Sequence, residues 1–201
     1  MSLFSQARFL AAAADLAQLP EEGPPEIAFV GRSNVGKSSA INALARRRRL
    51  AFVSKTPGRT QALNFFELGG AGRLVDLPGY GYAKVPKPLR ERWEPLVGGY
   101  LAQRATLAGV VVVMDARHPL TPLDRQLLDW IEPFRRPALF LLAKADKLKR
   151  AQRSAALAEV RRARPREEAV LFSSLTREGV DAAREALEGW LARAAEIKNP
   201  R

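Results

Sequence analysis

The stretch GRSNVGKSS, residues 31–39, decides how the rest of the sequence is interpreted. It fits the pattern G-x-x-x-x-G-K-[ST], whose fixed positions are Gly31, Gly36, Lys37 and Ser38. An apolar run precedes it and a helical periodicity follows it, so its backbone N–H groups can turn towards a phosphate at the positive end of the helix. We predict that Lys37 binds the β- and γ-phosphates of a nucleotide and that the Ser38 hydroxyl ligates Mg²⁺. The alternative is a glycine-rich turn that carries a surface lysine.

Outside this loop, compact apolar runs alternate with longer amphipathic segments. The runs predict strands at 27–30, 62–68, 73–76, 110–114, 138–142 and 169–172. The segments predict helices at about 37–48, 88–105, 121–132, 148–163 and 178–196. Several runs are apolar throughout rather than alternating, which is typical of strands buried on both faces. The sequence therefore predicts an α/β fold with a mostly parallel six-stranded sheet and helices on both faces.

Length and composition bound the kind of protein. A chain of 201 residues suits one domain, expected at 26–196, with an N-terminal extension at 1–25 that forms an Ala-rich helix or strand and a short tail at 197–201. With no cysteine and one histidine, the sequence excludes a disulfide framework, a Cys nucleophile and a multi-His metal centre. Asp15 interrupts the early apolar run, and no run reaches the roughly 18 residues of a membrane span. We expect a cytoplasmic protein.

The positive charge is concentrated in three clusters. The chain carries 33 Lys and Arg against 21 Asp and Glu, a formal charge of +12. The three clusters are residues 46–49 (RRRR), 84–92 and 147–166. In the last, four arginines fall on one face of the predicted helix: Arg150, Arg153, Arg161 and Arg164. A solvated helix face is the alternative, but three clusters favour a polyanionic partner, and RNA over a membrane surface.

Two further segments predict a nucleotide-dependent switch. In DLPG, residues 76–79, Asp76 follows a strand and can hold Mg²⁺ through water, while the N–H of Gly79 can reach a γ-phosphate. Hydrolysis would break that contact and release the segment. In SKTPGRTQ, Thr60, with Thr56 as second choice, offers a hydroxyl that completes the Mg²⁺ site when the γ-phosphate is present.

The segment LLAKADK, residues 141–147, predicts recognition of guanine. The Asp146 carboxylate can accept the N1–H and the 2-amino group of guanine, whereas adenine offers neither donor. The aliphatic part of Lys144 can lie along the purine. The last predicted strand ends in FSS, Phe172–Ser174, whose backbone can contact the guanine carbonyl.

Together these motifs resemble the EngB family (YihA/YsxC type), which is close to the Era, EngA and TrmE group of GTPases. The resemblance runs from PEIAFVGRSNVGKSS through KTPGRTQALNFF and DLPGYGYAKV to DARHPLT, LLAKADK and FSS. It implies a Ras-like P-loop GTPase domain that binds GTP or GDP with Mg²⁺. It also implies a role in assembly of the large ribosomal subunit of bacteria, on which normal cell division and septation depend, with ribosomal RNA and subunit precursors as partners.

The motifs and the resemblance together define the expected site residues. Metal ligation is expected from Ser38, Thr60 and Asp76, and assistance to hydrolysis from Asn34, Lys37, Thr60 and Gly79. The expected nucleotide-binding residues are Gly31, Arg32, Ser33, Asn34, Val35, Gly36, Lys37, Ser38, Gly58, Arg59, Thr60, Gln61, Ala62, Asp76, Leu77, Pro78, Gly79, Ala143, Lys144, Ala145, Asp146, Phe172, Ser173 and Ser174.

The sequence departs from the pattern at two positions. Ala143 stands where the guanine motif usually begins with Asn or Thr, which removes a side-chain anchor to the phosphate loop. Tyr80 stands where Ras-like enzymes carry a water-orienting glutamine, so unaided hydrolysis is expected to be slow. Asn34 resembles a residue that binds K⁺ in relatives. Arg32 and Arg59 are rival cationic contributors, although each side chain is expected to face solvent or RNA.

Two other functions stay open at this point. One is a P-loop phosphotransferase that acts on a small molecule, and the other is an RNA-binding module with a vestigial nucleotide site. The first calls for an acceptor pocket and a lid, for which the sequence carries no signature. The second predicts an RNA affinity that does not depend on nucleotide. For the GTPase interpretation a monomer is expected.

Overall fold

A computed structural model describes residues 2–51, 62–80 and 87–198, and within residues 87–93 it describes the backbone alone. The strands are β1 (Ala7–Ala13), β2 (Glu26–Gly31), β3 (Leu63–Leu68), β4 (Arg73–Asp76), β5 (Leu107–Asp115), β6 (Ala138–Ala143) and β7 (Glu168–Leu171). The α-helices are α1 (Lys37–Leu44), α2 (Lys87–Gln103), α3 (Pro122–Ile131), α4 (Arg150–Ala163) and α5 (Val180–Lys198). Within these ranges, no helix is long and apolar enough to cross a bilayer.

In the described ranges the strands form one seven-stranded sheet in the order β1-β3-β4-β2-β5-β6-β7. β2 runs parallel to β4 and β5, and β6 runs parallel to β5 and β7. β3 is antiparallel to both β1 and β4. The predicted α/β class with a mostly parallel sheet is confirmed, and each of the six predicted strands is present within a few residues of its expected bounds.

The expectation of six strands was wrong because the segment ARFLAAA forms an edge strand. Ala7 pairs with Leu68 and Ala13 with Leu63, so the segment predicted as an extension completes the sheet. The sequence pattern does not indicate a strand here, because alanine has weak strand propensity and the side chain of Phe9 is 57% exposed. Phe9 packs edge-to-face on Phe66, with ring centroids 6.1 Å apart.

The helix expected at 37–48 ends earlier, at Leu44. Asn42 closes the loop that follows, because its side chain donates to the carbonyl of Ala51 (2.9 Å) and accepts the N–H of Ala51 (2.8 Å). Arg184 of α5 is 5% exposed and donates to the backbone carbonyl of Leu44, so it satisfies a carbonyl that the helix end leaves free. The run 46–49 is therefore an exposed loop and not a helical stripe.

The sheet is covered on both faces, as the sequence predicted. α1 and α5 pack on one face, where Ile27 and Phe29 of β2 point. α2, α3 and α4 pack on the other, where Ala28 and Val30 point. Since β2, β4, β5 and β6 are parallel, their carboxyl ends meet at one edge of the sheet. That edge carries the residues at which these strands end, namely Gly31, Asp76, Asp115 and Ala143.

Candidate nucleotide-binding site

The loop between β2 and α1 has the backbone geometry of an anion-binding loop. Gly36, the N-cap residue of α1, has φ of 112°, a backbone conformation that residues with a side chain rarely adopt. Asn34 also lies at positive φ (61°), and its side chain is exposed. Val35 is 3% exposed and packs into the core under α1. The loop is thus shaped by its own backbone and by the core.

Lys37, Ser38 and Asp76 form one cluster at the edge of the sheet. The Lys37 ammonium forms an ion pair with Oδ1 of Asp76, and the Ser38 hydroxyl donates to Oδ2 of the same carboxylate at 3.2 Å. Lys37 is 9% and Asp76 4% exposed, so each charge depends on the other in this buried position. The sequence placed the three residues in one site but did not predict this ion pair.

The donor set of the cluster fits a magnesium ion. A serine hydroxyl and a carboxylate provide the oxygen ligands that Mg²⁺ prefers, and this ion usually takes one or two protein ligands together with water and phosphate oxygens. Ser38 and Asp76 are already within hydrogen-bond distance of each other, so the fold brings both predicted ligands to the mouth of the phosphate loop.

The segment after β4 lies directly on the phosphate loop. The Ser33 N–H donates to the carbonyl of Tyr80 at 3.0 Å, and Arg32 and Tyr80 form a parallel bridge. A Cβ on Gly79 would lie 2.6 Å from the Ser33 hydroxyl oxygen and 3.1 Å from the Ser33 Cα, so a side chain here would force the two segments apart or displace the hydroxyl. Leu77 and Pro78 connect the buried end of β4 to this contact. The two segments expected to flank a γ-phosphate are therefore in contact.

A buried carboxylate that the sequence analysis missed joins these two segments to α3. Asp124 is fully buried, and its Oδ1 accepts hydrogen bonds from Arg32 Nε (3.0 Å) and the Tyr80 hydroxyl (3.1 Å). Its Oδ2 accepts the N–H (3.0 Å) and hydroxyl (2.6 Å) of Thr121, the N-cap of α3. The spacing Thr-Pro-Leu-Asp is a capping-box signal that could have revealed it.

The same contacts correct the expectation for Arg32. It was expected to face solvent or RNA, but it forms an ion pair with Asp124. Burial raises the pKa of Tyr80 far above its ordinary value, and the neighbouring Asp124 charge raises it further. The phenol therefore stays protonated and donates a hydrogen bond to Asp124. A glutamine amide in this position offers both a donor and an acceptor to orient a water molecule, and the phenol does not reproduce that pair.

The predicted base-recognition residues lie together at the ends of β6 and β7. Asp146 accepts a hydrogen bond from the Ser173 hydroxyl at 2.7 Å, which lowers the pKa of its carboxyl below the ordinary value. The Ser173 oxygen in turn accepts the N–H groups of Leu175 (3.2 Å) and Thr176 (3.1 Å). The Phe172 carbonyl accepts the Ala145 N–H at 3.1 Å, whereas the next residue, Ser174, is exposed. Asp146 is thus held ionised and oriented.

Part of the predicted site lies outside the described residues. This applies to Gly58, Arg59, Thr60 and Gln61, and to the second-choice Thr56. Ala62 is described and comes directly before β3. Of the second basic cluster, residues 84–86 are also outside, and the rest lies at the start of α2, where only the backbone is described.

The four arginines that were predicted to share one face of α4 divide into two that form ion pairs and two that are exposed. Arg153 forms an ion pair with Glu178 (3.1 Å), and Arg164 forms one with Glu132 (3.5 Å). Arg150 and Arg161 are exposed. Arg153 and Arg164 therefore have partners within the fold, whereas the exposure of Arg150 and Arg161 fits both a solvated helix face and a surface that binds a polyanion.

Comparison with known proteins places the chain in a family. A family model described as a 50S ribosome-binding GTPase matches residues 26–144, more than half of the chain. The "Probable GTP-binding protein EngB" of Thiobacillus denitrificans is 52% identical over 201 residues, which covers 98% of this chain and 97% of that protein. The chain belongs to the EngB family of GTP-binding proteins. The EngB of Neisseria meningitidis serogroup B is 50% identical over 197 residues, covering 95% and 94% of the two chains.

Solved structures show the same fold. A crystal structure of a probable GTP-binding protein EngB superposes with a TM-score of 0.67 at 20% identity, covering 84% of this chain and 99% of that one. An Era variant from Aquifex aeolicus, bound to GDP and AlF4⁻, superposes with a TM-score of 0.69 at 21% identity, covering 84% and 57%. This EngB chain is thus a P-loop GTPase that binds GTP and GDP, and the resemblance stated from its motifs is confirmed.

Proposed function

We propose that this EngB protein is a GTP-controlled factor in assembly of the large ribosomal subunit, on which normal cell division and septation depend. The observation that carries the proposal is the match of residues 26–144 to a family described as a 50S ribosome-binding GTPase. The formal charge of +12 supports an RNA-rich partner, because each phosphate contact releases counterions. In this proposal the protein acts in the cytoplasm as a monomer.

The basic surface offers two exposed groups of arginines to such a partner. The loop 46–49 is exposed and is held closed by the hydrogen bonds between Asn42 and Ala51. Arg150 and Arg161 lie eleven residues apart on α4, about three turns, and therefore on the same side of that helix. A pre-formed loop loses little conformational entropy on binding, which favours the cluster at 46–49 as a phosphate contact.

The nucleotide site would control this surface through the segment after β4. Ser38 and Asp76, with Thr60 when a γ-phosphate is present, would hold Mg²⁺, which supplies positive charge to the phosphates. Lys37 would exchange its partner Asp76 for the β- and γ-phosphates, since both sites lie at the mouth of the same loop. Gly79 would donate its N–H to the γ-phosphate in place of the present packing against Ser33. Loss of that phosphate would then free the segment.

Hydrolysis is expected to be slow without an activator. Tyr80 stands where a water-orienting glutamine is usual, and its hydroxyl donates to Asp124. Arg32, which could have supplied a positive charge, is paired with the same carboxylate. We propose that K⁺, bound with the help of Asn34, supplies that charge, or that a ribosomal contact does so.

Co-sedimentation with large-subunit precursors tests the proposal. We expect the protein to pellet with precursors in the presence of a non-hydrolysable GTP analogue and much less in the presence of GDP. Equal pelleting in both states would favour the module with a vestigial site. No pelleting in either would contradict the ribosomal role. Arg48→Glu should weaken binding, and it should reduce the slope of log affinity against log salt concentration by about one unit, since one phosphate contact is lost. Arg193→Glu makes the same charge change at an exposed position of α5 outside the three clusters, and it is the matched control.

A further inference from the structure

Ala143 brings a methyl group, and no polar side chain, to the phosphate loop. Its Cβ lies 3.6 Å from the position that a Cβ on Gly36 would occupy, so the two segments are in contact, but a methyl group supplies no hydrogen bond. Across the sheet, Ala143 of β6 is paired with Asp115 of β5, and the Ala116 N–H donates to the Ala143 carbonyl at 2.8 Å. Asp115 is therefore the carboxylate that lies beside Ala143 on the neighbouring strand.

Lys144 connects Asp115 to the phosphate loop. Its Nζ donates to Oδ2 of Asp115 at 2.9 Å and to the backbone carbonyl of Asn34 at 3.0 Å. Lys144 has φ of 62° and is the N-cap of the short turn Ala145–Lys147, which carries Asp146. Fixing the ammonium group of Lys144 at the end of β5 therefore also fixes the turn that presents the guanine-binding carboxylate.

The Asp115 carboxylate is itself rigidly held. Arg117 donates to it from its backbone N–H (3.1 Å), from Nε (2.9 Å) and from Nη2 (2.7 Å), so with Lys144 four donors converge on it. Burial by itself would raise the pKa of Asp115, but the hydrogen bonds from Arg117 and Lys144 outweigh it and hold the pKa well below its ordinary value. The carboxylate is therefore a fixed negative charge that accepts a hydrogen bond from the Lys144 ammonium group and holds it in place.

We propose that Asp115 is a positioning residue for guanine recognition, which takes over the anchoring that Asn or Thr at position 143 would supply. It acts through Lys144, and Lys144 acts on the turn of Asp146 and on the backbone of Asn34. The inference concerns the binding of guanine nucleotides, which membership of the GTPase family already gives. It does not depend on the ribosomal role proposed above, so the two can fail separately.

The affinity for a fluorescent GDP derivative tests this role. Asp115→Asn keeps the shape of the side chain and removes its charge, and we expect affinity to fall about tenfold, the scale of one charge-assisted hydrogen bond. Arg117→Met is the matched control, because it removes the other cation and leaves the contact between Lys144 and Asp115. We expect a change of less than about threefold for the control.

Two combinations separate positioning from general stability. In a Lys144→Met background, Asp115→Asn should cause no further loss, because its effect passes through Lys144. Adding Ala143→Asn to Asp115→Asn should recover most of the lost affinity. Unchanged affinity of Asp115→Asn, additive losses in the Lys144→Met background, or no recovery with Ala143→Asn would each overturn the proposal. If circular dichroism shows that Asp115→Asn does not fold, the substitute test adds Ala143→Asn to the Lys144→Met variant and compares the affinities of the two. A gain in affinity supports the proposal, and no gain overturns it.

Discussion

The Ser173 hydroxyl makes the contact that most lowers the pKa of Asp146, the carboxylate proposed to bind guanine. Ser173 is fully buried, and its oxygen accepts two backbone N–H groups while it donates its proton to Asp146. Because both acceptor positions of the oxygen are occupied, the hydroxyl proton has one direction left, towards the carboxylate. Ser173 therefore favours the ionised form of Asp146, the form that would accept two hydrogen bonds from guanine in the proposed site.

Ser173→Ala should lower guanine-nucleotide affinity and shift its pH dependence. The hydrogen bond from Ser173 lowers the pKa of Asp146 below its ordinary value, so the contribution of the ionised carboxylate to binding is fully present above that ordinary value and is lost as pH falls through the lowered pKa. Without Ser173 that pKa rises, and affinity should begin to fall at a higher pH during acidification. Fluorescent GDP titrations between pH 7 and pH 4, about the range over which the fold is expected to persist, check this.

Ser174→Ala is the control for this variant. Ser174 is the adjacent residue and is exposed, so the same substitution there should leave both affinity and its pH dependence unchanged. If both variants respond alike, the loop as a whole, and not the hydroxyl of Ser173, governs Asp146.

At the scale of elements, Asp124 holds three parts of the fold together. It lies on α3, and it binds Arg32 of the phosphate loop and Tyr80 of the segment after β4. Arg32 and Asp124 are separated by 92 positions in the sequence. A movement of the segment after β4 that displaces the Tyr80 side chain would break this hydrogen bond, so α3 is directly linked to the segment proposed to act as a switch.

Tyr80→Phe should release the segment after β4 without unfolding the domain. The loss of one hydrogen bond to a charged group is worth about 1.5 kcal/mol, which raises local opening roughly tenfold. Amide hydrogen exchange should therefore accelerate at Leu77, Gly79 and residue 80, while protection in α3 changes little because Thr121 still binds Asp124.

Tyr100→Phe is the matched control for this experiment. The Tyr100 hydroxyl donates to Glu26 at 3.0 Å in the core, away from the phosphate loop. Its loss should lower global stability by a similar amount and leave the local opening at 77–80 unchanged. Faster exchange at 77–80 in both variants would mean that the segment opens only through global unfolding.

The elements that the sequence predicted are those with strong local patterns. The buried strands β2, β4, β5 and β6 are apolar runs, and the phosphate loop has fixed spacing, so both could be predicted. The edge strand β1 has no such pattern, because its alanines are exposed as well as buried. Ion pairs such as that of Lys37 with Asp76 join remote positions, and residue spacing does not encode which partners meet. Only the fold reveals them.

At the scale of the whole molecule, one end of the sheet carries the candidate nucleotide-binding site, and the opposite end is a structural end. Glu26 opens β2 at the structural end and is fully buried. Its carboxylate accepts hydrogen bonds from Arg104 Nε (3.0 Å) and Nη2 (2.7 Å), from the Tyr100 hydroxyl (3.0 Å) and from Arg73 Nη1 (3.1 Å). This network connects β2 to β4 and α2. Gly31, where the phosphate loop begins, is five residues further along the strand, roughly 16 Å away.

Glu26→Gln should therefore separate stability from nucleotide binding. Removing the charge leaves Arg104 and Arg73 without their buried counter-ion, and we expect the free energy of unfolding to fall by about 3 kcal/mol. Urea unfolding measures this loss. Glu22→Gln makes the same change at an exposed side chain and should cost less than about 0.5 kcal/mol.

The folded Glu26→Gln protein should bind fluorescent GDP with unchanged affinity, since the phosphate loop is held by Val35 and the core under α1. An affinity that falls in step with stability would instead mean that the two ends of the sheet are coupled.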